Sequence, residues 1–220
     1  MRFEKGTIKA SPYLGVFAIV TEKIALIPQT VPSGEYKTIR DLFGIEPIKC
    51  SLGESSLIGV LSSGISNKIL LSELVTHSEE KHLQSLGLET KIIRGVTAIG
   101  NLMRITEKGG IVSRSFTPEI LKEMEAFLEI PLHYATIAKS DLVGSSCAAS
   151  LKGFVAHPNI SNSEFQLLKK VFQVDGKPTT SNYGDRFVGN CILCNSKAVM
   201  YGINTTGHEL LRIDEGLSGE

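Results

Sequence analysis

Asp141-Leu142-Val143-Gly144-Ser145 is one of five close variants of a single short pattern. The others centre on Leu14-Gly15, Ile58-Gly59, Ile99-Gly100 and Val188-Gly189, so the glycines recur at intervals of 44, 41, 44 and 45 residues. A fixed period in this range is the signature of a repeat architecture, in which each unit is one supersecondary motif that cannot bury its apolar face alone. Aligning the chain on these glycines exposes a second shared position. Lys23, Lys108, Lys152 and Lys197 each lie eight residues after the glycine, and Lys68 lies nine after. Two residues before each lysine stands Thr21, Ser66, Thr106, Ser150 or Asn195, side chains able to bond their own backbone across a tight turn.

Apolar runs flank each turn. Val16-Phe17-Ala18-Ile19-Val20 precedes the first and Ile24-Ala25-Leu26-Ile27 follows it, which reads as a hairpin of buried strands. A helical pattern comes next. Phe116-Thr117-Pro118-Glu119 carries a Thr cap, a Pro in the first turn and an early Glu, and behind it Ile120, Leu121, Met124 and Leu128 share one face. Asn162-Ser163-Glu164, Thr205-Thr206-Gly207-His208-Glu209 and Ser78-Glu79-Glu80 open the corresponding helices of other units. A third extended segment, such as Glu89-Thr90-Lys91-Ile92-Ile93 or Pro131-Leu132-His133-Tyr134-Ala135, ends the unit. The repeat is thus strand, strand, helix, strand, over about 44 residues.

The count does not close at the ends. The fifth unit stops at Leu217 without its third strand, while residues 2–8 form an extended segment with no helix of its own. A closed ring resolves both: the N-terminal segment pairs with the last unit, and no capping repeat is needed. The expected organisation is a single α/β domain over residues 1–220, with repeats near 11–53, 54–96, 97–139, 140–184 and 185–217 and the strand at 2–8 completing the last. Glycine in a strand pattern marks close backbone approach, as five strands converging on an axis would require.

Bulk properties narrow the function. Twenty-three basic and 23 acidic side chains cancel, which argues against a protein that coats nucleic acid by neutralising phosphates. Met1-Arg2-Phe3-Glu4-Lys5-Gly6 lacks the layout of a signal peptide, and no apolar run approaches the length of a membrane span. Cys50, Cys147, Cys191 and Cys194 are too few and too irregular for a secreted disulfide framework. These features describe a cytoplasmic protein with reduced thiols. Cys191-Ile192-Leu193-Cys194, read as part of a strand, sends its thiols to opposite faces, and no second ligand pair follows, so no metal or other cofactor is expected.

Five such units closing into a ring resemble the pentein, or α/β-propeller, architecture. Within it, the chain resembles archaeal and eukaryotic translation initiation factor 6. The carrying stretches are Ser11-Pro12-Tyr13-Leu14-Gly15-Val16-Phe17, Thr97-Ala98-Ile99-Gly100-Asn101, Val155-Ala156-His157-Pro158, Ser181-Asn182-Tyr183-Gly184 and Asn204-Thr205-Thr206-Gly207-His208-Glu209-Leu210. The sequence ends at Glu220 without the tail of the eukaryotic members, so the archaeal branch is the nearer match. The resemblance implies a non-catalytic, monomeric factor that binds the large ribosomal subunit near the sarcin–ricin loop, on a ribosomal protein and ribosomal RNA. There it blocks joining of the small subunit, and the family also acts in large-subunit biogenesis. No small-molecule substrate and no membrane are implied. Carried over by motif, the docking residues are Asn101, Val60 (where eukaryotic members have a basic residue), Ser145, Ser146, Phe187 and Asn190.

The rival reading is a guanidine-modifying enzyme of the same architecture, an amidinotransferase or deiminase. Cys147, Cys191 or Cys194 would be its nucleophile and His157 or His208 its base. Against it, each cysteine lies in an apolar pattern, where a free thiol behaves as a small buried hydrophobe.

Overall fold

The computed structural model describes residues 1–219. Each hairpin forms where the sequence places it. Thr21 Oγ1 accepts the amides of Lys23 and Ile24 at 3.1 and 3.0 Å, and Thr106, Ser150 and Asn195 accept the amide of the lysine two residues on. Ser66 differs and takes a left-handed backbone, with φ of 50°.

After β1 (Arg2–Gly6), the first unit consists of α1 (Leu14–Phe17), β2 (Ile19–Val20), β3 (Ala25–Pro28), α2 (Ser33–Phe43) and β4 (Ile48–Cys50). The second has α3 (Ile58–Leu61), β5 (Ser62–Ile65), β6 (Lys68–Ser72), α4 (His77–Ser85) and β7 (Glu89–Ile93). The third follows with α5 (Ile99–Leu102), β8 (Met103–Thr106), β9 (Gly109–Val112), α6 (Pro118–Leu128) and β10 (Leu132–Tyr134). The fourth replaces the short helix by a turn over residues 143–146 and continues with β11 (Cys147–Ala149), β12 (Phe154–Ala156), α7 (Asn162–Phe172) and β13 (Gly176–Pro178). The fifth contains α8 (Val188–Cys191), β14 (Ile192–Cys194), β15 (Ala198–Gly202) and α9 (Gly207–Leu217).

Every unit makes one three-stranded sheet with an antiparallel hairpin and a parallel third strand. In the fifth sheet the third strand is β1, which pairs in parallel with β15 from Arg2↔Ala198 to Gly6↔Gly202. The two ends of the chain therefore share one sheet, and the closed five-unit α/β ring expected from the sequence is the observed fold. Arg2 strengthens the seam, since its guanidinium donates to the carbonyls of Asp41 (3.1 Å) and Leu42 at the C-terminal end of α2.

No unit has a private core. The side chains form five apolar clusters, each between neighbouring sheets: Leu14, Ile39 and Phe43 of the first unit pack with Leu193, Ala198 and Met200 of the fifth. Ile111 of the third packs with Phe154, Leu168 and Phe172 of the fourth. A ring built this way gains its apolar burial only when every interface is made.

One expectation needs correction. The repeated glycines sit not in strands but just before them, four in single helical turns and Gly144 in the turn over residues 143–146, so the first strand of unit one is shortened to Ile19–Val20. The expected close approach is nevertheless present. A Cβ on Gly15 would strike the carbonyl of Gly189, one on Gly59 that of Gly15, on Gly100 that of Gly59, on Gly144 that of Gly100 and on Gly189 that of Gly144. The contacts run once round the ring and return to their start. Because the obstacle is backbone carbonyl, neither a rotamer change nor a small side-chain shift relieves it. Gly100→Ala is expected to destabilise the protein by at least about 3 kcal/mol, or to prevent folding. Chemical denaturation beside an exposed-glycine control such as Gly34→Ala, which meets no neighbouring atom, checks this.

Candidate functional site

Strands β2, β5, β8, β11 and β14 run from the glycine turns at one end of the ring to the lysine-bearing hairpins at the other, so the molecule has two distinct ends. The glycine end is built by a device repeated in four units. A tight loop with left-handed residues (Lys9-Ala10, Gly53-Glu54, Ala138-Lys139 and Asn182-Tyr183) is closed by an isolated bridge, Ile8↔Ser11, Leu52↔Ser55, Ile137↔Ser140 or Ser181↔Asp185. The carboxylate of a helical glutamate grips each loop. Glu164 accepts Thr136 Oγ1 at 2.8 Å and the amides of Ala138 and Lys139 at 3.1 and 3.2 Å. Glu35, Glu79 and Glu209 grip their own loops in the same way.

Three of these glutamates do two jobs at once. Glu79, Glu164 and Glu209 are also the third residue of capping boxes with Thr76, Ser161 and Thr206, so each ties its helix start to the loop before the unit. Burial alone would raise the Glu164 carboxyl, but the hydrogen bonds from Ser161, Thr136 and Lys139 outweigh it and push the pKa down to about 2. The carboxyls of Glu79 and Glu209 are lowered by the same competition.

The gripped loops lead straight into an exposed side chain. Ser11, Ser55 and Ser140 accept through Oγ the amides of Tyr13 (3.3 Å), Leu57 (3.2 Å) and Leu142 (3.2 Å), and Asp185 Oδ1 accepts that of Phe187 (2.8 Å). Those four residues occupy one repeat position, two before the glycine. They are 41%, 38%, 39% and 37% exposed, large apolar side chains in water at the same end of the ring. In the third unit the equivalent residue is Ala98, so the collar has one low point, and Asn101 lies three residues further on. Tyr183, 85% exposed on the clasp of the fifth unit, extends the collar outward.

The residues named from the sequence all lie at this end, though not all at its surface. Asn101, Val60 and Asn190 are half-buried on α5, α3 and α8, and the Asn101 carbonyl accepts the amide of Gly144 at 2.9 Å. Phe187 is exposed, with its ring edge-on to His157 at 6.2 Å. Ser145 and Ser146 are buried inside the turn of the fourth unit. The Ser145 carbonyl receives Gly189 N of the fifth unit and the Ser146 carbonyl receives His157 N of its own unit, both at 2.8 Å, and burial keeps both side chains from the surface. Tyr13, Leu57 and Leu142, which the sequence reading did not single out, occupy the same repeat position as Phe187.

Three of the four cysteines are buried and Cys194 is half-buried. Burial pushes Cys50, Cys147, Cys191 and Cys194 up to about 12, which leaves them protonated thiols at neutral pH, whereas a nucleophilic cysteine needs a depressed pKa. The Cys191–Cys194 spacing is not that of one strand: Cys191 ends α8 and points to the Phe187 carbonyl, while Cys194 lies in β14 and points to that of Ala149.

A closed ring of five ββαβ units defines an α/β-propeller of the pentein type. The chain belongs to the eIF-6 family, whose model matches residues 3–216. Its relatives are archaeal proteins named translation initiation factor 6. That of Pyrococcus abyssi is 34% identical over 224 residues, covering 99% of each chain, and that of Methanocaldococcus jannaschii is 33% identical, covering 94% of this chain and 93% of its own. The protein is thus a translation initiation factor by family. Among solved structures, a dimethylarginine dimethylaminohydrolase in adduct with S-methyl-L-thiocitrulline aligns over 94% of this chain and 73% of its own, with TM-score 0.45 and 12% identity.

Because the Glu164 carboxyl titrates below the unfolded value of about 4.3, its clasp contributes fully above that pH and is lost as pH falls towards 2. Glu164→Gln is expected to lower stability at pH 7 by about 1.5–3 kcal/mol. Its stability should also fall less steeply than that of the parent between about pH 4 and pH 2, as thermal unfolding across that range would record.

Proposed function

We propose that this protein binds the large ribosomal subunit with its glycine end and thereby keeps the small subunit from joining, with a second role in large-subunit biogenesis. The observation that carries the reading is the apolar collar of Tyr13, Leu57, Leu142 and Phe187, held by the glutamate clasps around the ring mouth in a chain of this family. Exposed apolar groups concentrated on one face mark a contact surface, and Tyr and Phe are enriched at the centres of protein interfaces. The partner at the collar is a ribosomal protein beside the sarcin–ricin loop, with RNA at the rim. Zero net charge suits such a mixed surface better than a site relying on phosphate neutralisation.

Backbone order favours the same use. The loops are pinned by carboxylate, bridge and serine contacts before any partner arrives, so little conformational entropy remains to be lost on docking. The role requires no turnover: a monomer about the size of one ribosomal protein, seated on the joining face, excludes the other subunit by volume. We place this action in the cytoplasm. Among the described residues no helix is long and apolar enough to cross a membrane.

Binding by Asn101, Val60, Asn190 and Phe187 together with Tyr13, Leu57 and Leu142 is tested by co-sedimentation with purified large subunits. Asn101→Arg and Phe187→Asp are each expected to weaken binding at least about tenfold, the loss of a modest hot spot, and to raise the fraction of joined ribosomes in a subunit-association assay. Lys152→Glu, exposed at the opposite end, should bind as the parent does. Equal loss in all three variants, or in none, would remove the glycine end as the docking face.

A further inference from the structure

The axis of the ring holds a cavity of about 50 Å³ beneath the glycine turns. Among its lining residues are Gly15, Gly59, Gly100, Ser62 and Ser63, and one charged side chain, Arg104. Its position in the repeat makes it unusual. Four residues after each glycine stand Ile19, Ser63, Arg104, Ala148 and Leu193, so only the third unit sends a cation to the axis.

The protein satisfies Arg104 only in part. Nη2 donates to the Gly144 carbonyl at 2.7 Å, while Nε is buried with no hydrogen-bond partner. No carboxylate lines this cavity. Glu22 and Glu107 line a smaller space that adjoins it towards the hairpin end and shares Val20, Gly64, Ile105, Ala149 and Cys194 with it, and there Glu22 is engaged by Ser196 through its amide and hydroxyl at 2.7 and 2.5 Å. The nearby thiols of Cys147 and Cys194 supply no negative charge, since burial raises both to about 12. Arg104 as a whole is half-buried, but its Nε is cut off from water, and a guanidinium cannot neutralise itself by losing its proton. Buried polar groups left unpaired by the protein call for a ligand or an ion.

We infer that the axial cavity is an anion site in which Arg104 holds a halide-sized monovalent anion, chloride in solution. The volume admits about three water-sized spheres at roughly 15 Å³ each, enough for one such ion and its remaining water but not for a nucleotide or a sugar phosphate. The site joins the third unit to the fourth beside the glycine contacts, so the ion acts on ring stability and not on the docking surface.

The test uses the full-length protein and chloride itself. Thermal unfolding is followed at constant ionic strength while sodium chloride replaces sodium gluconate, whose anion is too large for the cavity, in parent and Arg104→Met. A ligand that binds only the folded state raises Tm in a saturable way. The parent is expected to gain a few degrees relative to the variant as chloride rises, with the gain levelling off. A parent–variant difference independent of chloride would overturn the proposal. If Arg104→Met does not fold, crystals of the parent grown in bromide decide the matter. An anomalous peak beside Arg104 Nε supports the site, and density at that position without anomalous signal shows water and refutes it.

Discussion

The structure depends on five glycine Cα atoms, each lying against the carbonyl of the glycine in the preceding unit. Because Gly15 meets Gly189 as Gly59 meets Gly15, the series has no first or last member, and any side chain in it would hold two units apart. The spacing at the axis then sets where the hairpins lie, how far the sheets fan outward and which helix faces fill the wedges between them. The five apolar clusters, each shared between neighbouring sheets, follow from that spacing.

Closure is a cooperative problem because the last interface joins residues nearly the whole chain apart. Besides the pairing of β1 with β15, Asn182 Nδ2 donates to the Pro12 carbonyl at 2.9 Å, and Asn195 Nδ2 to that of Thr21 at 3.1 Å. Glu22 receives Ser196 on the same seam. Polar contacts thus reinforce the junction between first and fifth units, whose sheet is completed by two segments from opposite ends of the chain. Such long-range closure carries a loop-entropy cost that only the completed set of interfaces offsets.

The glutamate clasp connects fold to function. One carboxylate fixes a left-handed loop and so sets the exit angle of the next exposed side chain in units one, two, four and five, and in the last three it also caps its own helix. The third unit departs from it: Gly95 N turns to Glu73 instead, the following residue at the collar position is Ala98, and Arg104 is the cation that the other units lack at that position. The quasi-symmetric scaffold is therefore interrupted in the third unit at both the surface and the axis.

Much of this was legible from the chain alone, because it rests on local chemistry and periodicity. The glycine interval, the hairpin residues Thr21, Thr106, Ser150 and Asn195, the helix starts and the missing fifth strand are read one residue at a time, and the closed ring follows from counting them. The sequence could not distinguish a glycine in a strand from one in a helical turn, since both present an apolar-Gly pair. It could not place Ser145 and Ser146 inside the turn, because polar residues after a turn are as often exposed as buried. Nor did it reveal that Glu164 reaches back to Ala138 and Lys139, or that Arg104 faces the axis without a carboxylate. Those are distances between segments set by how neighbouring units pack, and only the tertiary structure decides them.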